Sequence, residues 1–231
     1  MSHTTRARAG LLAALATLTL TAGCAGPLAP AAEPVPSATL EKALLTVADL
    51  PAGYRANPAT SAAPTPSGSL PASDASDACA GFRGDTSPFA LPETASASFS
   101  QKRTGGNSET GEVTHQLMSG PADDVEGALD RLRETLEKCR SFSLSEGQFA
   151  ATMTIAEETA PDLGDQAVAF RMTLSMPMLT GGTQEDATYW SRAVVVRVGN
   201  VATTVTAGGG SEGTELADEL ARKAVAKVEA L

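Results

Sequence analysis

Apolar residues recur at steps of three and four through Val125, Ala128, Leu129, Leu132, Leu136 and Cys139, the spacing that lines them along one side of a helix. Pro121 opens this segment, and Asp123, Asp124 and Glu126 fill its first turn, where carboxylates offset the helix dipole. Leu216, Leu220, Ala221, Ala224, Val225, Val228 and Leu231 mark a second amphipathic helix at the C-terminus. A short helix is predicted over residues 40–45, with Thr39 as its cap and Pro51 and Gly53 breaking the pattern beyond it. Elsewhere the period changes to two. Residues 93–103 and 111–119 read as strands joined through Gly105-Gly106-Asn107, with Val113, His115 and Leu117 on one face. Phe149, Ala151, Met153 and Ile155 alternate, as do Val168, Phe170, Met172, Leu174 and Met176 after a turn at residues 161–165. Residues 190–198 and 201–207 flank Gly199-Asn200, a two-residue turn that sets 198 opposite 201, 196 opposite 203 and 194 opposite 205. That register collects Val194, Val196, Val198, Val201 and Val205 on one face. The element order predicts an α+β fold, a largely antiparallel sheet of about five to six strands packed against two long helices and a short N-terminal helix.

The N-terminus reads as an address. Arg6 and Arg8 precede an apolar run of about a dozen residues, shorter than the roughly 20 that a helix needs to cross a bilayer, and Gly23 and Cys24 follow it. Residues 1–23 are therefore expected to be removed as a secretory signal. Leu20-Thr21-Ala22-Gly23-Cys24 resembles the lipobox of bacterial lipoproteins, whose cysteine is acylated and becomes the first residue. That resemblance implies lipidation at Cys24 and anchoring to the extracytoplasmic face of the cell membrane; plain secretion with an incidental cysteine is the alternative. Residues 24–38, with Pro27, Pro30, Pro34 and Pro36 among small residues, read as an extended tether. Residues 39–231 then make one domain, in which residues 57–73 are a low-complexity exposed loop able to carry sugars on its hydroxyls.

Composition narrows the chemistry. A net charge of −10 repels phosphate backbones, which excludes nucleic acid as a partner. Two histidines and three cysteines leave too few ligands for a zinc or iron–sulfur centre, so neither metal nor cofactor is expected. With Cys24 spent on lipid, Cys79 and Cys139 remain as an even pair in an oxidising compartment and are expected to form a disulfide. Two buried free thiols are the alternative.

Gly209-Gly210-Ser211-Glu212-Gly213 satisfies the G-x-S-x-G pattern between a strand and a helix, but no histidine follows Ser211 to serve as its base. It reads as a turn leading into a helix. His115 shares the face of Val113 and Leu117 and reads as a packing histidine, with a pH-responsive role as the second reading. Asp162 and Asp165 lack the ligand spacing of a calcium loop. No enzyme is expected. Met153, Met172 and Met176 fall on strand faces assigned to the core, where thioethers fill irregular gaps or line an adaptable apolar pocket, and they are the candidate ligand-binding residues.

Leu44-Leu45-Thr46-Val47-Ala48-Asp49-Leu50-Pro51-Ala52-Gly53-Tyr54 resembles the opening of many actinobacterial lipoproteins and of the extracellular sensor domain of PknH-type mycobacterial kinases. The order of elements is similar over residues 40–231. This resemblance implies a non-enzymatic ligand-binding or sensor-like domain that, having no kinase domain in its sequence, passes any signal through a partner. That family is held by two disulfides where this chain has cysteines for one. The shared positions are turn and packing residues, so no binding residue is carried over. The expected function is that of a lipid-anchored cell-envelope protein binding a small apolar ligand; the alternative is a structural or protein-interaction module of the envelope with no small ligand.

Overall fold

The hairpin predicted around Gly199-Asn200 sits at the centre of one eight-stranded sheet. The computed structural model describes residues 33–57, 79–83, 90–102, 109–146, 149–180, 183–209 and 213–231. The chain divides into a unit of residues 1–30, which with its Cys24 lies outside the described residues, as do residues 58–78, where the low-complexity stretch was expected, and a unit of residues 31–231. Strands β1 (Tyr54–Ala56), β2 (Glu93–Lys102), β3 (Glu109–Ser119), β4 (Ser141–Glu146), β5 (Phe149–Glu158), β6 (Gln166–Thr180), β7 (Thr183–Val198) and β8 (Val201–Gly208) lie in the order β1-β2-β3-β8-β7-β6-β5-β4. Every neighbouring pair is antiparallel. The helices are α1 (Ser37–Leu40), α2 (Ala80–Arg83), α3 (Ala122–Lys138) and α4 (Gly213–Val228), with single 3₁₀ turns at Glu41–Ala43 and Val47–Asp49.

Gly199 takes φ 59°, the left-handed conformation that a two-residue hairpin turn demands. Val198 opposes Val201, Val196 opposes Thr203 and Val194 opposes Val205, the register read from the sequence. Alternation along these strands feeds two cores. Val194, Val196, Val205 and Ala207 meet Ala217, Leu220, Ala221 and Ala224 of α4. Ala193, Val195 and Ala202 point the other way, into a cluster with Val125, Leu129, Leu132 and Leu136 of α3. Both faces of the central strands are buried, which is why Val194, Val195 and Val196 run on without a polar break.

The expectation of about five to six strands against two long helices is corrected here: the described residues are mostly sheet, with eight strands. At about 3.3 Å per residue, the 15 residues of β6 and 16 of β7 run on the order of 50 Å, while the 17 residues of α3 and 16 of α4 reach only roughly 25 Å. The helices are short covers on a long sheet. β1 has three residues and owes its strand conformation to pairing with β2 rather than to its own pattern. β4 alternates Phe142 and Leu144 with serines straight after α3 and is held by β5. β6 and β7 extend beyond the apolar runs because their outer halves pair with each other as far as Thr180 and Thr183.

Residues 33–38, read from sequence as the end of the tether, are docked on the domain. Asn200 Nδ2 donates to the Glu33 carbonyl at 2.6 Å and Val35 N–H donates to Ser119 Oγ at 2.9 Å. α1 begins at Ser37 behind Pro36, not behind Thr39. Leu40, Ala43, Leu45 and Leu50 are buried along this N-terminal strap, and each leucine contributes roughly 1.5–3 kcal/mol by leaving water. Cys79 and Cys139 form the expected disulfide, with a Cα–Cα distance of 5.1 Å and a sequence separation of 60.

Candidate functional site

On the face of the sheet that carries α3, cross-strand neighbours form the row Glu112–Gly208–Ser191–Met172, read across β3, β8, β7 and β6. Adjacent side chains on one face stand about 5 Å apart, so their relative heights shape the surface. Gly208 has no side chain and Ser191 a short one. Met172, with Met153 and Leu174 beside it, rises on one flank, and the row dips between them and Glu112. The result is a hollow of about 310 Å³, lined by these residues and by Tyr189, Gly111, Trp190 and Gly209.

Each wall has a local cause. Met153 opposes Leu174, and Leu174 opposes Tyr189, so these three form a second row beside the first. Met153 and Met172 also pack against the α3 cluster, which gives their thioethers one side in the core and one on the hollow. Phe82 of α2 meets the Phe170 ring edge-on at 5.5 Å, in the same cluster, two residues along β6 from Met172. Gly209, just after β8, takes φ 90°, a conformation that a side chain disfavours, and donates its N–H to the Trp190 carbonyl at 3.3 Å. Tyr189 is 54% exposed at the rim. Among the described residues, Glu112 is the one charge on the lining, and it is exposed.

Of the three methionines singled out from sequence, the structure brings Met153 and Met172 together at the hollow. Met176 opposes Ala187 on the same face, four residues along β6 from Met172, and does not line it. The lining residues all belong to strands or to Gly209, so the hollow is open on the sheet rather than set between sheet and helix.

His115 is fully buried. Its Nδ1 accepts the Leu45 N–H at 3.0 Å, which leaves the proton on Nε2 for Thr203 Oγ1, also at 3.0 Å. Desolvation, reinforced by Lys227 and opposed by Asp49, pushes its pKa down to about 3. It is a neutral pin between the strap and two central strands, unable to reach a substrate. Lys227 continues the fastening by pairing with Asp49 at 2.8 Å and donating to the Leu44 carbonyl at 3.1 Å. Burial works against ionisation of Asp49, but hydrogen bonds from Lys227 and Thr46 outweigh it and hold the carboxyl below its ordinary range.

Sequence reading missed a charged cluster under α4. Arg192, 3% exposed, pairs with Glu158, with Asp218 of α4 at 3.0 Å, and with the Thr159 carbonyl at 2.9 Å. Arg171 pairs with Glu158 at 2.7 Å and lies 5.2 Å from the centre of the Trp190 ring. The one sequence signal was an arginine inside an apolar strand, which demands buried partners. These ion pairs tie β5, β6 and β7 to α4. Asp123 and Asp124 stand exposed in the first turn of α3, and Asp165 accepts the Gly199 N–H at 2.7 Å. Among the described residues no three of His, Cys, Asp and Glu converge as a metal site, and no helix is long and apolar enough to cross a membrane. Ser211 of the G-x-S-x-G stretch lies outside the described residues.

No protein-family model matches the chain, and no curated protein matches it. Among solved structures it is similar to the extracellular domain of PknH from Mycobacterium tuberculosis, at 15% identity and a TM-score of 0.42 over 59% of this chain. The match spans 64% of that domain's chain. At that superposition no residue role passes from one to the other.

Proposed function

We propose that the chain is a non-enzymatic ligand-binding domain displayed outside the cytoplasm, held to the membrane by lipid on Cys24, and that the hollow on the sheet is its binding site. The observation that carries the reading is the pairing of Gly208 and Ser191 in the middle of a row that Met172 bounds. A sheet face built only for packing would fill that gap. Thioethers adapt to irregular apolar guests, and a volume of about 310 Å³ suits a small molecule. The disulfide suits an oxidising compartment, and the lipobox-like run ending at Cys24 supplies the anchor.

Native mass spectrometry of the full chain purified from its own host tests the reading. We expect an adduct of a small apolar molecule that a Met172→Trp variant loses. An adduct-free wild-type protein, or an adduct that the variant keeps, would favour an interaction module instead. Intact mass of the membrane-extracted protein tests the anchor: acyl mass on an N-terminal Cys24 is expected, and an unmodified cysteine would remove that part of the proposal.

A further inference from the structure

The row that makes the hollow is chemically polarised. At one end stand Met172, Met153 and Leu174; at the other stands Glu112, the only charge on the lining among the described residues. Three strand spacings separate Glu112 from Met172, about 14 Å at roughly 4.8 Å each. Between them lie only Gly208 and Ser191, so a molecule laid in the hollow reaches both ends without meeting a tall side chain. Among the residues whose side chains are described, no lysine or arginine pairs with Glu112. Its carboxylate is acceptor-only and therefore selects a donor, most strongly a cationic one. The chain's net charge of −10 adds to the bias against anions.

From this we infer the class of ligand, on the premise that the hollow binds one: an elongated apolar body ending in a protonated amine, with the ammonium on Glu112 and the body over Ser191, Met172 and Leu174. Fatty acids and other anionic amphiphiles are selected against.

Three probes of equal chain length separate the possibilities: octylamine, 1-octanol and octanoate. Each is titrated at neutral pH and low salt into the full chain carrying ¹³C-labelled methionine methyl groups. Octylamine should shift the Met153 and Met172 resonances and bind roughly three- to fivefold tighter than 1-octanol, the gain expected of an exposed ion pair, with octanoate weakest. Glu112→Gln should bring octylamine level with 1-octanol. Glu137→Gln, which removes an exposed carboxylate of α3 away from the lining, should leave the preference intact. Equal affinities for amine and alcohol, or a preference that survives Glu112→Gln, would overturn the inference while leaving the hollow as a site. If none of the probes moves either methionine, the hollow itself fails as a site and the inference falls with it.

Discussion

Acidification should weaken the fold through His115 well before any carboxylate takes part. The imidazole is buried with both nitrogens bonded, and its pKa of about 3 lies far below the ordinary 6.5, chiefly because burial penalises the charged form. Between those two values the unfolded chain binds a proton that the folded chain refuses, so stability falls as pH drops, by up to about 1.4 kcal/mol per pH unit. Going from pH 7.5 to 5.0, the loss works out at about 2 kcal/mol, a large part of the stability of a domain. Asp49, Glu93 and Glu134, all held below their ordinary values of 3.8 or 4.5, stay ionised across that window. The assay is urea denaturation at both pH values for the wild type and for His115→Asn, whose Oδ1 keeps an acceptor for the Leu45 N–H. Wild type should lose about 2 kcal/mol, while the variant, less stable throughout, should be nearly flat. Equal losses in the two proteins would refute the reasoning.

Three further outcomes follow from the packing. Replacing both Cys79 and Cys139 by alanine should destabilise the domain by about 4 kcal/mol in the chain-entropy model for a 60-residue loop, measured by denaturation without reductant. Arg192→Met should cost about 2–3 kcal/mol, below the usual penalty for a broken buried pair because Glu158 and Asp218 keep 21% and 25% exposure; the unfolding midpoint reports it. Gly164→Ala should lower the melting temperature markedly, since φ is +58° and the new Cβ would stand 2.3 Å from the Arg197 carbonyl oxygen.

What the sequence disclosed was whatever local pattern decides. The valine hairpin announced both its turn and its register, because Gly199-Asn200 and the alternation around it agree. Cysteine parity gave the Cys79–Cys139 pair. The helices were found by their stripes, yet their weight in the fold was overestimated, since periodicity does not say how far a strand continues once a partner supplies its hydrogen bonds. β1, β4, the end of β6 beyond Met176 and the part of β7 before Trp190 exist by pairing and were invisible for that reason. The hollow was half legible. Thioethers on a core face marked Met153 and Met172, but Gly208, Ser191 and Glu112 become neighbours only through pairing of β3 with β8 and β8 with β7, a long-range fact. The salt-bridge cluster was hidden likewise, because Arg192, Glu158 and Asp218 are distant in sequence and meet only when α4 folds over the sheet.

The central claim is that the hollow above Gly208 and Ser191 exists to hold a molecule. A high-resolution crystal structure of the full chain, purified from its host without added ligand, tests it most directly. Elongated density in contact with Met153, Met172 and Leu174, with one end at Glu112, is the predicted result. A hollow closed by a rotated Tyr189, or one holding ordered water alone, would contradict it.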